Sequence, residues 1–241
     1  SISVATELLP KKSLLKTPSQ SVERGQPVSI ALAHYYCEFA AQKFDLGELS
    51  LAKELLNQAV SYDRNCVRAA IQLGETELRS GRPEEAIKSL KQVKQYGPEF
   101  VSETISLLRD AFAQIGKAAD ITEYLKECYK AHPDPAIALA ITEDLFRREG
   151  FEAARTFLSQ ELAVQPSLHG LSRLIRFQQA DFSGRIRENI DQLLHLIDLL
   201  IKERMTYKCD HCGFAGQQLH WYCPGCKYWG TVRPLNLENL E

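Results

Sequence analysis

A recurrence every 34 residues constrains this chain more than any other feature: Gly47-Glu48-Leu49-Ser50-Leu51-Ala52 returns as Gly81-Arg82-Pro83-Glu84-Glu85-Ala86. A unit that short cannot enclose its own apolar face and must stack on its neighbours. Within each unit the apolar residues follow helical spacing. Tyr36, Phe39 and Ala40 hold the first-helix positions of one unit and Ala70, Leu73 and Gly74 those of the next. The small residues Ala40 and Gly74 let paired helices approach closely. Leu56 and Ala59, then Leu90 and Val93, form the second-helix stripes, which end at Asp63 and at Gly97-Pro98.

This is the period of the tetratricopeptide repeat. It continues with drift, since Gly116 follows Gly81 by 35 residues and Gly150 follows Gly116 by 34. His132-Pro133-Asp134-Pro135 and Gln165-Pro166 mark the next boundaries, because proline lacks a donor and clashes with the preceding turn. The expectation is a mostly α chain: a helical solenoid of two clear repeats, two weaker ones and a last helix pair. Residues 10 to 27 read as a loop. Ile2 to Leu9 read as the end of an amphipathic helix, and the first residue, Ser1, suggests the C-terminal part of a longer protein. Ile186, Ile190, Leu193, Leu194, Ile197, Leu200, Ile201 and Met205 keep the 3.6-residue period of a capping helix. Only Thr206 to Lys208 separate it from the next feature.

That feature is two Cys-x-x-Cys pairs, Cys209/Cys212 and Cys223/Cys226, with ten residues between them. Four thiolates at this spacing can surround one tetrahedral metal ion. Glycine beside each pair, Gly213 and Gly225, suits the positive-φ backbone that turns N–H groups toward sulfur. The expected C-terminal module is a small β unit of rubredoxin-like or zinc-ribbon type holding one Zn or Fe ion. Thiolates select these metals, and four sulfurs leave no position for an activated water. The role is therefore structural or redox, with structural favoured because no flavin motif accompanies it. His211 and His220 stand beside a complete ligand set and read as surface residues or supports. The short linker predicts a module docked on the repeats, packing on the last helices. The segments read as 1–32, a remnant of a preceding repeat with a loop; 33–205, repeats with capping helices; 206–235, the metal-binding domain; and 236–241, a tail.

Nothing else points to chemistry. Cys37, Cys66 and Cys128 are isolated in sequence and read as buried small side chains, which suits a reducing compartment. The remaining histidines lack triad spacing, and phosphate-loop, His-Glu-x-x-His and Gly-x-Ser-x-Gly motifs are absent, so no enzyme is expected. No apolar run is long enough to span a bilayer. A formal charge of −2 gives no global attraction to nucleic acid. Arg173, Arg176, Arg185, Arg187, Lys202, Arg204, Lys208, Lys227 and Arg233 make the C-terminal third locally basic, which a solvated helix face explains best. First-helix positions His34, Ala41, Phe44, Arg68, Glu75, Arg79 and Arg109 are candidates to line an inner peptide groove.

Repeats running through a capping helix into Tyr207-Lys208-Cys209-Asp210-His211-Cys212-Gly213-Phe214 and Trp221-Tyr222-Cys223-Pro224-Gly225-Cys226 resemble the lipopolysaccharide assembly protein B (LapB) family of Gram-negative bacteria. The likeness extends to Ala33-His34-Tyr35-Tyr36-Cys37-Glu38 and to Leu90 through Glu103, and is thinnest over residues 130 to 185. It implies that Cys209, Cys212, Cys223 and Cys226 are rubredoxin-type ligands. It also implies an inner-membrane anchor preceding this chain, with repeats and ribbon on the cytoplasmic face. The family's implied role is an adaptor by which the FtsH protease degrades the LpxC deacetylase of lipid A synthesis, answering to a membrane antagonist that senses lipopolysaccharide. Homo-oligomers are compatible with such a scaffold. The rival readings are a nucleic-acid-binding zinc ribbon on repeats and an iron-ribbon redox component.

Overall fold

The computed structural model describes residues 22–23, 25–178 and 183–235. The expectations for Ile2 to Leu9, for most of the leading loop and for the 236–241 tail lie outside these residues. The chain forms two compact units. One gathers the chain up to Gln92 with Cys209–Phe214 and His220–Val232; the other holds Val93–Lys208, Ala215–Leu219 and the chain from Arg233.

Among the described residues the first unit opens with a two-stranded hairpin, β1 (Val22–Glu23) and β2 (Gln26–Pro27), paired antiparallel with Glu23 opposite Gln26. Four helices follow: α1 (Val28–Asp45), α2 (Leu49–Tyr62), α3 (Val67–Arg79) and α4 (Pro83–Lys91). They are the two clear repeats. Ala33, Cys37, Ala40, Leu56, Ala59, Cys66 and Ala69 form the core, so small residues set the spacing of α1 to α3. Gly74 does the same for α3 and α4, because a Cβ there would lie 2.4 Å from Leu90 Cγ. Cys37 and Cys66, remote in sequence, meet in this core, where their thiols hydrogen-bond to each other.

The recurring turn glycines have a conformational cause. Gly47 and Gly81 have φ of 78° and 73°, and nothing lies within 4 Å of an added Cβ, so backbone conformation and not space selects glycine. Each follows a helix whose end is closed by an N–H returning five residues, Glu48 to the Lys43 carbonyl and Arg82 to the Glu77 carbonyl, both at 2.9 Å. This satisfies carbonyls the helix leaves unpaired. Gly116 repeats the pattern at φ 70°, with Lys117 N–H on the Phe112 carbonyl. Glu77 is 3% exposed and joins Lys53, at 2.7 Å, and Arg82. Burial raises its carboxyl, but these two cations more than offset that and hold it below the usual range.

The second unit begins with a short α5 (Val93–Tyr96) and a 3₁₀ helix, Pro98–Thr104, where Gly97-Pro98 interrupts the α pattern. Then come α6 (Ile105–Gln114), α7 (Asp120–Ala131), α8 (Pro135–Glu149), α9 (Phe151–Val164), α10 (Leu168–Gln178) and α11 (Gly184–Glu203). The core includes Phe100, Leu108, Leu125, Ile137, Ile141 and Leu158. Asp134 caps α8 by accepting from Ala136 N at 2.7 Å, with Pro135 at the first helical position. Helix α11 packs on α10 and buries Leu194 and Ile197, while Ile186 is 60% and Leu200 53% exposed. Its apolar period is thus wider than the face it covers. No described helix is long and apolar enough to cross a membrane.

The C-terminal module contributes β3 (Tyr207–Cys209), β4 (Ala215–Gly216) and β5 (Val232–Pro234), in the order β4-β3-β5. Tyr207 faces Gly216 and Lys208 faces Ala215 in an antiparallel pair.

Candidate metal centre

Cys209 ends β3, Cys212 lies in the turn after it, and Cys223 and Cys226 form a second turn. The four Sγ atoms all lie within 4.8 Å of one another, with Cys209–Cys226 and Cys212–Cys223 both at 3.7 Å. A tetrahedron with metal–sulfur bonds of about 2.3 Å has edges of about 3.8 Å, so the donor set fits one Zn or Fe ion. No pair is joined as a disulfide.

The two turns are built alike. N–H groups of His211 and Cys212 point at Cys209 sulfur, and those of Gly225 and Cys226 at Cys223 sulfur. Burial pushes the Cys209 thiol up, but the Thr231 hydroxyl at 3.3 Å and these N–H groups more than offset it, bringing it down to about 6. Cys223 goes the other way: burial raises it, its backbone donors lower it, and the neighbouring Cys209 and Cys226 raise it. Converging thiols resist losing several protons together, and a divalent cation removes that resistance.

The glycines serve differently from each other. Gly213 has φ 74°, as positive-φ chemistry predicts, whereas the residue in the equivalent place of the second turn is Lys227, at φ 63°. Gly225 is selected by space: a Cβ there would stand 3.0 Å from Cys212 Sγ and 3.4 Å from Phe214 Cβ. His211 packs edge-on against Tyr228 at 4.1 Å and His220 against Phe214 at 5.9 Å, and neither joins the sulfur cluster.

The knuckles pack on the first repeat helix, where sequence reasoning looked to the last ones. Trp229 stacks on His34 at 5.1 Å and meets the edge of Tyr35 at 5.4 Å, and Trp221 lies 6.1 Å from His34. Gln26 acts as a strand partner: its Nε2 donates to Trp229 O at 2.7 Å and its Oε1 accepts from Trp229 N at 3.0 Å. In the second unit, Tyr207 Oη donates to Glu103 at 2.7 Å, Arg233 pairs with Glu99, and Gln217 Nε2 donates to Lys202 O at 2.6 Å. The last of these keeps part of the expected contact with α11.

The candidate groove divides. His34 and Arg68 are buried, His34 beneath Trp229 and Arg68 bonded to Glu38 at 2.7 Å. Ala41, Phe44 and Glu75 line one cavity, and Arg79 lies over the Phe44 ring at 4.6 Å. Arg109 is engaged by Asp144, Glu143 and the Ala140 carbonyl. Of the basic set, Arg173 lies over Phe177, Arg176 pairs with Asp198 and Lys227 lies over Tyr222. Each of these three has a partner within the chain. Gln26 and Thr231 were missed by sequence reasoning, and no spacing marks either.

A family model for the rubredoxin metal binding domain matches residues 207–234, and one for the tetratricopeptide repeat matches residues 43–104. Lipopolysaccharide assembly protein B of Escherichia coli (strain K12) is 28% identical over 207 residues, covering 86% of this chain and 53% of that protein. Its counterpart from Haemophilus influenzae is 26% identical over 212 residues, covering 88% and 53%. The chain spans about half the length of the curated relatives it matches. Among solved structures, YrrB, a TPR protein with an unusual peptide-binding site, is similar at TM-score 0.40 and 14% identity, covering 71% of this chain and 92% of that one. MamA protein is similar at TM-score 0.41 and 16% identity, with the same coverage.

Proposed function

Taking the chain as a homologue of lipopolysaccharide assembly protein B, with tetratricopeptide repeats and a C-terminal rubredoxin-type domain, we propose that it is a non-catalytic adaptor in lipopolysaccharide assembly. It holds the LpxC deacetylase for the FtsH protease at the cytoplasmic face of the inner membrane, under an antagonist that senses lipopolysaccharide. The observation that carries this reading is the four-sulfur cluster latched to a repeat helix. Four sulfur ligands leave a metal no open position for substrate or water, and of the structural and redox roles left to it an adaptor needs the structural one. Trp229 and Gln26 tie the cluster to α1. When bound, the ion supplies charge neutralisation and crosslinking, while the residues of this chain supply the docking surface. Stacked helices present such a surface at little ordering cost, so two clients can be held in one geometry.

The test replaces Cys223→Ser and Cys226→Ser together and follows LpxC half-life in cells, with metal content and circular dichroism measured on the purified protein. The expected result is loss of metal and of LpxC turnover with most helical signal kept. Unchanged LpxC turnover by a metal-free, helical variant would overturn the reading.

A further inference from the structure

Cys37 of α1 and Cys66 at the start of α3 take no part in the metal centre, yet they share one core and are 0% and 4% exposed. A single buried thiol does no more than fill space. Two thiols in hydrogen-bond contact are a different arrangement, because their sulfurs are already neighbours although the chain holds them on separate helices.

The pair is also unequal. Cys66 is the N-cap of α3, where N–H groups without intrahelical acceptors and the positive end of the helix dipole favour a thiolate. The hydrogen bond from Cys37, then the Ala69 N–H and the Arg68 guanidinium, hold the Cys66 thiol below its ordinary range against burial and the Asp63 charge. Cys37 moves the other way, its proton held by the hydrogen bond to Cys66 and by burial. Arg68 is itself 6% exposed, with one nitrogen on Glu38 and its Nε without a hydrogen-bond partner among the described residues. The core therefore holds a thiolate-like sulfur, a protonated sulfur beside it and a buried cation. Arg64 and Asn65, directly before Cys66, are exposed, so the turn between α2 and α3 is the short way in for a small oxidant.

We propose that Cys37 and Cys66 are an oxidation site, forming a reversible disulfide that ties α1 to α3 when the protein meets hydrogen peroxide. The Cys66 sulfur attacks one peroxide oxygen, the O–O bond breaks, and the other oxygen leaves as water, which makes Cys66 a sulfenic acid. The Cys37 sulfur then attacks the Cys66 sulfur, the S–O bond breaks, and the oxygen leaves as a second water with the Cys37 proton. Two thiols lose two electrons and two protons, and the peroxide takes up both. Cys37 follows His34 by about one helical turn, so the link pins the helix on which Trp229 is stacked.

The experiment exposes the metal-loaded chain to hydrogen peroxide, samples it while the helical signal is unchanged, unfolds it in a thiol-blocking reagent and maps linked peptides by mass spectrometry without reduction. A Cys37–Cys66 linked pair should appear, and dithiothreitol should restore both thiols. Cys66 should be consumed about tenfold faster than Cys128, which is 2% exposed but has Tyr124 and not a thiol as its hydrogen-bond neighbour. Cys37→Ala should stop at a sulfenic acid on Cys66, captured by dimedone, and Cys66→Ala should leave Cys37 reduced. Both thiols remaining free in the wild type after the four metal ligands are oxidised would overturn the site, as would a link from either residue to a metal ligand or loss of Cys66 no faster than Cys128.

Discussion

Acidification from pH 7 to pH 5 should weaken the seat of the metal module on α1 through one side chain. His34 is 4% exposed under Trp229, and its Nδ1 has no hydrogen-bond partner among the described residues. Burial, and then the Arg68 charge, push its imidazole from 6.5 down to about 3. The unfolded chain therefore binds a proton that the folded chain refuses across that window. The contribution to stability is present above the unfolded value of 6.5 and is lost as pH falls toward about 3. At 1.36 kcal/mol per unit, the loss between pH 7 and pH 5 is about 2 kcal/mol. Urea unfolding read by tryptophan fluorescence measures it, since both tryptophans, Trp221 and Trp229, lie in the module. Acid also protonates thiolates and loosens metal. The comparison is therefore with His34→Phe, which keeps a ring beside Trp229 and cannot titrate. Wild type should lose about 2 kcal/mol more than the variant. Parallel pH profiles would refute the reasoning.

Glu77→Gln leaves Lys53 and Arg82, both partly exposed, without their shared carboxylate and should cost about 1–2 kcal/mol near neutral pH by chemical denaturation, with the gap to wild type closing as pH falls below the ordinary glutamate range. Gly81→Ala meets no atoms and should cost about 1 kcal/mol from its positive φ alone. Gly74→Ala places a methyl against Leu90 and should cost about 1–3 kcal/mol, a loss that Leu90→Ala in the same chain partly restores. A metal chelator should change the tryptophan emission while most of the helical circular dichroism persists; simultaneous loss of both signals would show that the repeats themselves need the ion.

The helices and the sulfur cluster were legible because each is written in local spacing. Gly47, Gly81 and Gly116 mark turns by period, and two Cys-x-x-Cys pairs determine their own convergence. What the spacing hid were pairings that no period carries. Trp229 and Gln26 stand 203 residues apart, so nothing near either indicates where the module docks. Cys37 and Cys66 are buried as their reading as small core side chains expected, but that α1 and α3 bring them together was hidden for the same reason. Gly225 was assigned a backbone role because glycine beside cysteine suggests a positive φ, whereas the true constraint is contact with Cys212 sulfur. The α11 stripe shows the converse limit: helical period reports that a face is apolar and not that it is covered.

The bond between Gln26 and Trp229 also sets an order of events on the ribosome. Their separation of 203 residues means that α1 emerges long before the segment that will sit on it. At roughly 5–20 residues per second, translation leaves His34 and Tyr35 waiting about 10–40 s for Trp229. During that interval α1 stands without the ring that stacks on His34.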